Sequence, residues 1–63
     1  MIKIIIERWI YPDGRTEHLW SVWRDGKRIG MGGPHGTAEA SEAEAQTACQ
    51  KSLGQAADKI ERL

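Results

Sequence analysis

Two turn signals, ten residues apart, leave this chain few ways to fold. Pro12-Asp13-Gly14 and Asp25-Gly26 bracket residues 15–24. Proline presets φ at the first turn position, aspartate suits the second, and glycine takes the left-handed position that closes a three-residue hairpin loop. Asp-Gly supplies the two positive-φ residues of a tight two-residue hairpin. The sequence therefore predicts strands over 2–11 and 16–24, and a third strand from 27. Counting back from the first turn, Tyr11 pairs with Arg15, Ile6 faces Trp20 and Ile4 faces Val22. Counting from the second, Arg24 pairs with Lys27, Trp23 with Arg28, Val22 with Ile29 and Trp20 with Met31. Ile2, Ile4, Ile6 and Ile10 alternate onto one face, and Lys3, Ile5, Glu7, Trp9 and Tyr11 onto the other. A one-residue slip would set Ile6 against Ser21 and turn the apolar set outward, so turns and pattern agree on one register.

The second half changes character. All three tryptophans and the one tyrosine precede residue 34, whereas every alanine lies at or after residue 38. Gly32-Gly33-Pro34-His35-Gly36 predicts a loop that ends the sheet. Ser41-Glu42-Ala43-Glu44 matches a capping box, with Ser41 as N-cap and Glu44 reaching back from the third helical position. From there Ala45, Ala48, Cys49, Leu53, Ala56, Ile60 and Leu63 recur at helical spacing. Either the helix runs on through Gly54, or Gly54 caps it after Leu53 and the tail is separate. The stripe keeps its period across Gly54, so a continued helix is expected, with Leu53 and Ile60 closing the apolar layer. The predicted fold is one α+β domain over residues 1–63: a three-stranded antiparallel β-meander with one C-terminal α-helix packed on one face (βββα).

Size limits the chemistry. A 63-residue chain buries only about 60% of the surface its unfolded form exposes, which leaves little room for a deep cleft. Cys49 is the single cysteine, so no intramolecular disulfide can form and a reducing cytoplasm is expected. It falls on the apolar stripe, where a thiol behaves as a small hydrophobe. His18, His35 and Cys49 make neither a CxxC nor an HExxH pattern, so no metal and no other cofactor are expected. The glycine-rich stretch lacks the Lys-Ser/Thr of a phosphate-binding loop. No run of apolar residues exceeds three, as in Ile4, Ile5 and Ile6, far short of a membrane span. The amino-terminal segment has no signal-peptide core, and the chain is expected to be mature protein. No nucleophile–base pair or carboxylate pair stands out, so the expectation is a protein that is not an enzyme and acts by binding.

Three surfaces are candidates. Glu39, Glu42 and Glu44 cluster at the helix start, where acids also suit the helix macrodipole. Trp9 and Trp23 project, with Ile5 and Leu19, from the sheet face that a single helix leaves open. Arg24, Lys27 and Arg28 surround the second turn. A three-stranded sheet with a basic tip resembles the DNA-binding modules of some integrase arms, which place a sheet in the major groove. Nine Lys+Arg balance nine Asp+Glu, which argues against a general nucleic-acid coat.

The run WSVWRDGKRIGMGGPHG followed by SEAEA resembles small proteins of phages and mobile elements, and in style is similar to anti-CRISPR inhibitors. That resemblance implies a cytoplasmic protein of the bacterial host, a monomer or weak homodimer, that binds a host protein complex. The implied partner is a Cas effector such as a type I Cascade subunit, whose nucleic-acid-binding surface it would block. Glu39, Glu42, Glu44, Trp9 and Trp23 would then make the contact. The alternative is a small nucleic-acid-binding or regulatory module that uses Arg24, Lys27 and Arg28.

Overall fold

A computed structural model describes residues 1–63. Its elements are β1 (Ile2–Ile10), β2 (Thr16–Arg24), β3 (Lys27–His35), α1 (Ala38–Leu53) and β4 (Lys59–Arg62). The sheet order is β3-β2-β1-β4, with β4 parallel to β1 and the other pairs antiparallel. α1 packs on one face only. It is not long and apolar enough to cross a membrane.

The first hairpin forms as its turn residues dictate. Tyr11 N donates to Arg15 O and Gly14 N to Tyr11 O, each at 2.9 Å, while Gly14 takes φ 89°. Asp25 (φ 51°) and Gly26 (φ 82°) build the second turn. Ile4 lies opposite Val22 and Ile6 opposite Trp20, as the turn arithmetic predicts. Ile2, Ile4, Ile6, Trp20, Val22, Ala45 and Cys49 are buried and form the core.

The register of β3 departs from expectation. A bulge between Val22 and Trp23 sets Val22 opposite Gly30 and Trp20 opposite Gly32, while Trp23 keeps Arg28 and Arg24 keeps Lys27. Ile29 and Met31, expected in the core, are 41% and 59% exposed. The reason is the width of Trp20. A Cβ on Gly32 would sit 2.5 Å from Trp20 Cζ2, so the indole fits over β3 only where β3 has no side chain. After a second register shift between His18 and Trp20, β3 runs on to His35, opposite His18, through the stretch expected to be a loop. Ile10 is also exposed, at 66%.

The helix begins one turn earlier than the capping-box reading places it. Thr37 is the N-cap, its Oγ1 accepting from Ala40 N at 3.1 Å. Ser41 is instead fully buried, and its hydroxyl donates to His18 O at 2.8 Å, tying α1 to β2. The helix also ends earlier. Gly54 adopts φ 69° and its N–H caps Gln50 O at 2.9 Å, a left-handed stop that glycine takes without strain.

Beyond that stop the chain returns to the sheet. Asp58 N donates to Ile2 O at 2.8 Å and Leu63 N to Ile6 O at 2.9 Å, enclosing the β4 ladder on β1. Without β4, one whole edge of β1 would present unpaired backbone groups beside its most buried isoleucines. Satisfying that edge outweighs a helical period that would have left it bare. The fold is thus a four-stranded mixed sheet with one helix, rather than the expected three-stranded meander. Ile60 and Leu63 stay 37% and 65% exposed.

Candidate functional site

The topology sorts residues to two ends. β3 and β4 both run parallel to β1, so α1 must run the opposite way between them. The Asp25-Gly26 turn, the end of α1 and the start of β4 therefore meet at one end of the molecule. Asp58 binds there, its carboxylate accepting from Ile2 N at 2.7 Å. The Pro12-Asp13-Gly14 turn, the start of α1 and Arg62 lie at the other end.

The pairing of charge differs along the same axis. Every side-chain carboxylate is engaged within the chain. Arg62 reaches Glu42 at 2.6 Å and Glu39 at 3.5 Å, and those two acids raise its pKa, Glu42 foremost. Glu44 accepts the Trp20 indole N–H at 2.7 Å and lies 3.1 Å from His35 Nε2. The indole first, then His35, hold its carboxyl below the ordinary range. Glu61 pairs with Lys3 at 3.2 Å, and Asp13 with Arg15 at 2.8 Å. Asp25 binds the Met1 amino group at 2.7 Å, which lowers its pKa. Glu17 accepts from the Tyr11 hydroxyl at 2.8 Å, raising the phenol pKa. Glu7 accepts from Trp9 Nε1 at 3.3 Å.

The cations are different. Lys3, Arg15 and Arg62 have carboxylate partners, whereas Arg8, Arg24, Lys27, Arg28, Lys51 and Lys59 make no ion pair. All of these except Arg8 belong to the end that carries the second hairpin. A chain with zero formal charge thus gathers most of its unpaired positive charge at the hairpin end, where the acids Asp25 and Asp58 are engaged within the chain.

Each site residue expected from sequence now has a place. Glu39, Glu42 and Glu44 do share the start of α1, but Arg62, Trp20 and His35 occupy them. Trp9 and Trp23 do sit on the open sheet face, 52% exposed and half-buried respectively. Arg24, Lys27 and Arg28 stand together at the hairpin without acid partners. Sequence reasoning misses Lys51 and Lys59 because a continuous helix would carry residue 59 away from the hairpin. No local signal marks the chain's return to the sheet; only the free edge of β1 explains it.

On the open face, Arg28, Trp23, Lys3 and Lys59 stand opposite one another on β3, β2, β1 and β4. At about 4.8 Å per strand this row is roughly 14 Å wide. No protein-family model, no curated protein and no solved structure matches the chain.

Proposed function

We propose that this protein is a small non-catalytic module that binds nucleic acid through its hairpin end, with Arg24, Lys27 and Arg28 as the principal phosphate contacts. The observation that carries this reading is the unequal pairing of charge. A cation already held by a carboxylate gains little from a phosphate, whereas an unpaired one exchanges only solvent and counterions. Lys51 and Lys59 widen the positive field at the same end. The open sheet beside it leaves room for a polymer to lie across the strands.

The phage-inhibitor reading, blockade of a host defence complex such as a Cas effector, has support on a different surface. Its acidic version draws on Glu39, Glu42 and Glu44, which already have partners in the chain. Its apolar version draws on Trp9 and Trp23, and the exposure of Trp9 and Met31 (59%) on a face that no element covers favours a protein contact there. It is the second reading.

Binding of a labelled oligonucleotide across a salt series separates them. Affinity should fall with salt. Replacing Arg24, Lys27 and Arg28 by alanine should flatten the logarithmic slope by about one for each phosphate that is no longer neutralised. Reversing Glu39 and Glu42 to lysine should not weaken binding. Salt-independent or absent binding overturns the nucleic-acid reading, and capture of a protein partner that Trp9→Ala abolishes would favour the inhibitor.

A further inference from the structure

We infer that the ligand is single-stranded nucleic acid and that one nucleobase stacks on Trp23, between phosphates held by Arg28 on one side and Lys59 on the other. This rests on the nucleic-acid reading of the hairpin end and says which form of the polymer fits there.

The first observation is the attitude of the ring. Trp23 Nε1 donates to Ser21 Oγ at 2.8 Å. Ser21 is two residues back on the same sheet face, about 6.8 Å along the strand. An indole standing upright could not reach it, so the ring lies along β2, half-buried, with part of its surface left to solvent. That hydrogen bond satisfies the one polar atom of the ring and fixes its orientation in advance, which lowers the entropy lost on stacking.

The second observation is the space beside it. A hollow of about 240 Å³ is lined by Met1, Lys3, Ile5, Trp23, Asp25 and Gly26. Met1, Ile5 and Trp23 make half of its lining apolar, which suits the face of a base, and Lys3 and Asp25 supply polar groups. The one carboxylate at its rim, Asp25, is already bonded to the Met1 amino group, so it does not repel a strand as a free acid would.

The third is the row of charge. Arg28 and Lys59 flank Trp23 across the sheet and neither has an acid partner, while Lys3 between them is held by Glu61. Aromatic faces set among backbone-tracking cations are the general recipe for single-strand binding, because stacking needs an unpaired base. A duplex offers phosphates but no free base face. Trp9 fails the same test: it lies against Glu7 and opposite Glu17, where an approaching phosphate meets acids.

The test uses three labelled probes: a short oligothymidylate, an abasic strand of equal length, and a duplex. The wild type should bind oligothymidylate more tightly than the abasic strand. Trp23→Leu should lose roughly tenfold or more toward oligothymidylate, the scale of one stacked base, and should leave the abasic strand unchanged. Trp23→Phe should recover part of the loss, and Trp9→Leu should have no effect. Arg28→Gln with Lys59→Gln should weaken all three probes. Circular dichroism confirms that each variant is folded, and the phenylalanine variant serves if the leucine variant is not. If oligothymidylate and abasic strand bind alike, or the duplex binds best with Trp23→Leu silent, stacking is refuted while the phosphate-binding end stands. If no probe shows salt-dependent binding, both fall together.

Discussion

Trp20 and Trp23 sit three residues apart on the same strand, and each donates its indole N–H to a nearby oxygen. Their roles diverge because the oxygens belong to different parts of the chain. Trp20 points under the helix and bonds Glu44 on α1. That contact, with Ser41 on His18 O, fastens the helix to the sheet. Trp23 points to the open face and bonds Ser21 of its own strand. It fastens no second element, and the ring is only half-buried. The comparison extends to the whole sheet. One face is closed, its isoleucines, Trp20 and Val22 packed under Ala45 and Cys49 of the helix, and the other leaves aromatic rings lying among charges.

Substitutions can break this contrast, and the largest effect should come from the closed face. Ile4 has no exposed surface. Ile4→Ala should cost about 3–4 kcal/mol through lost burial and the cavity left behind, a large share of the stability of any small domain. Ile5→Ala, one residue on but facing outward, should cost less than about 1 kcal/mol. Urea melts of the two variants give the comparison directly; similar losses would mean the open face is covered in solution.

Next comes β3. Gly32→Ala places a Cβ against the Trp20 ring, whereas a Cβ on Gly30 meets nothing within 4 Å. Gly32→Ala should destabilise by about 1–3 kcal/mol, the range for overpacking. Gly30→Ala should be close to neutral. Thermal denaturation should rank them in that order, and equal effects would refute the bulged register.

A smaller change tests the link between helix and sheet. Glu44→Leu leaves the Trp20 N–H without its acceptor in a partly buried site and should cost about 1–2 kcal/mol. Glu44→Gln keeps an acceptor and should cost less. The folded pKa of Glu44 is the lowered one, so its ionised form adds stability at and above the ordinary glutamate value of about 4.3. That contribution fades as pH falls through the lowered value. Glu44→Gln should therefore lose this contribution at neutral pH, by less than Glu44→Leu, converge with the wild type in acid, and so flatten the acid side of the stability curve. An unaltered acid limb would show that the indole–carboxylate bond does not form.

The smallest effect on folding should be that of Trp23→Leu, below about 1 kcal/mol by urea melt. The ring is only half-buried, and its one hydrogen bond is local. A loss of several kcal/mol would place Trp23 in the core and remove the basis for a free stacking face.

Much of the sheet is legible in the sequence because its signals are local. Pro12-Asp13-Gly14 and Asp25-Gly26 specify turns by backbone conformation alone, and alternation then assigns Ile2, Ile4, Ile6, Trp20 and Val22 to one face. The failures share a cause. Ile29 and Met31 read as core residues because a strand period carries no information on the size of Trp20 on the neighbouring strand. Ser41 matches an N-cap by spacing, yet Thr37 caps the helix because burial against β2 gives the Ser41 hydroxyl a better partner in His18 O. Residues 59–62 read as helix because their period fits one, and a period cannot register an unsatisfied edge on β1. The acid cluster is legible as composition, but its neutralisation by Arg62 is not, since β4 has first to form.

The sequence by itself determined the two hairpins, the β1–β2 register, the inward set of isoleucines, and the division into an aromatic strand region and an alanine-rich helical one. These follow from φ preferences and alternation, which act over a few residues. Only the tertiary structure decided where β3 bulges, where the helix stops, that the tail becomes β4, and which charges remain unpaired. Each of those depends on atoms far apart in sequence competing for the same space or the same hydrogen bond, and such competition is resolved only when the sheet and helix meet.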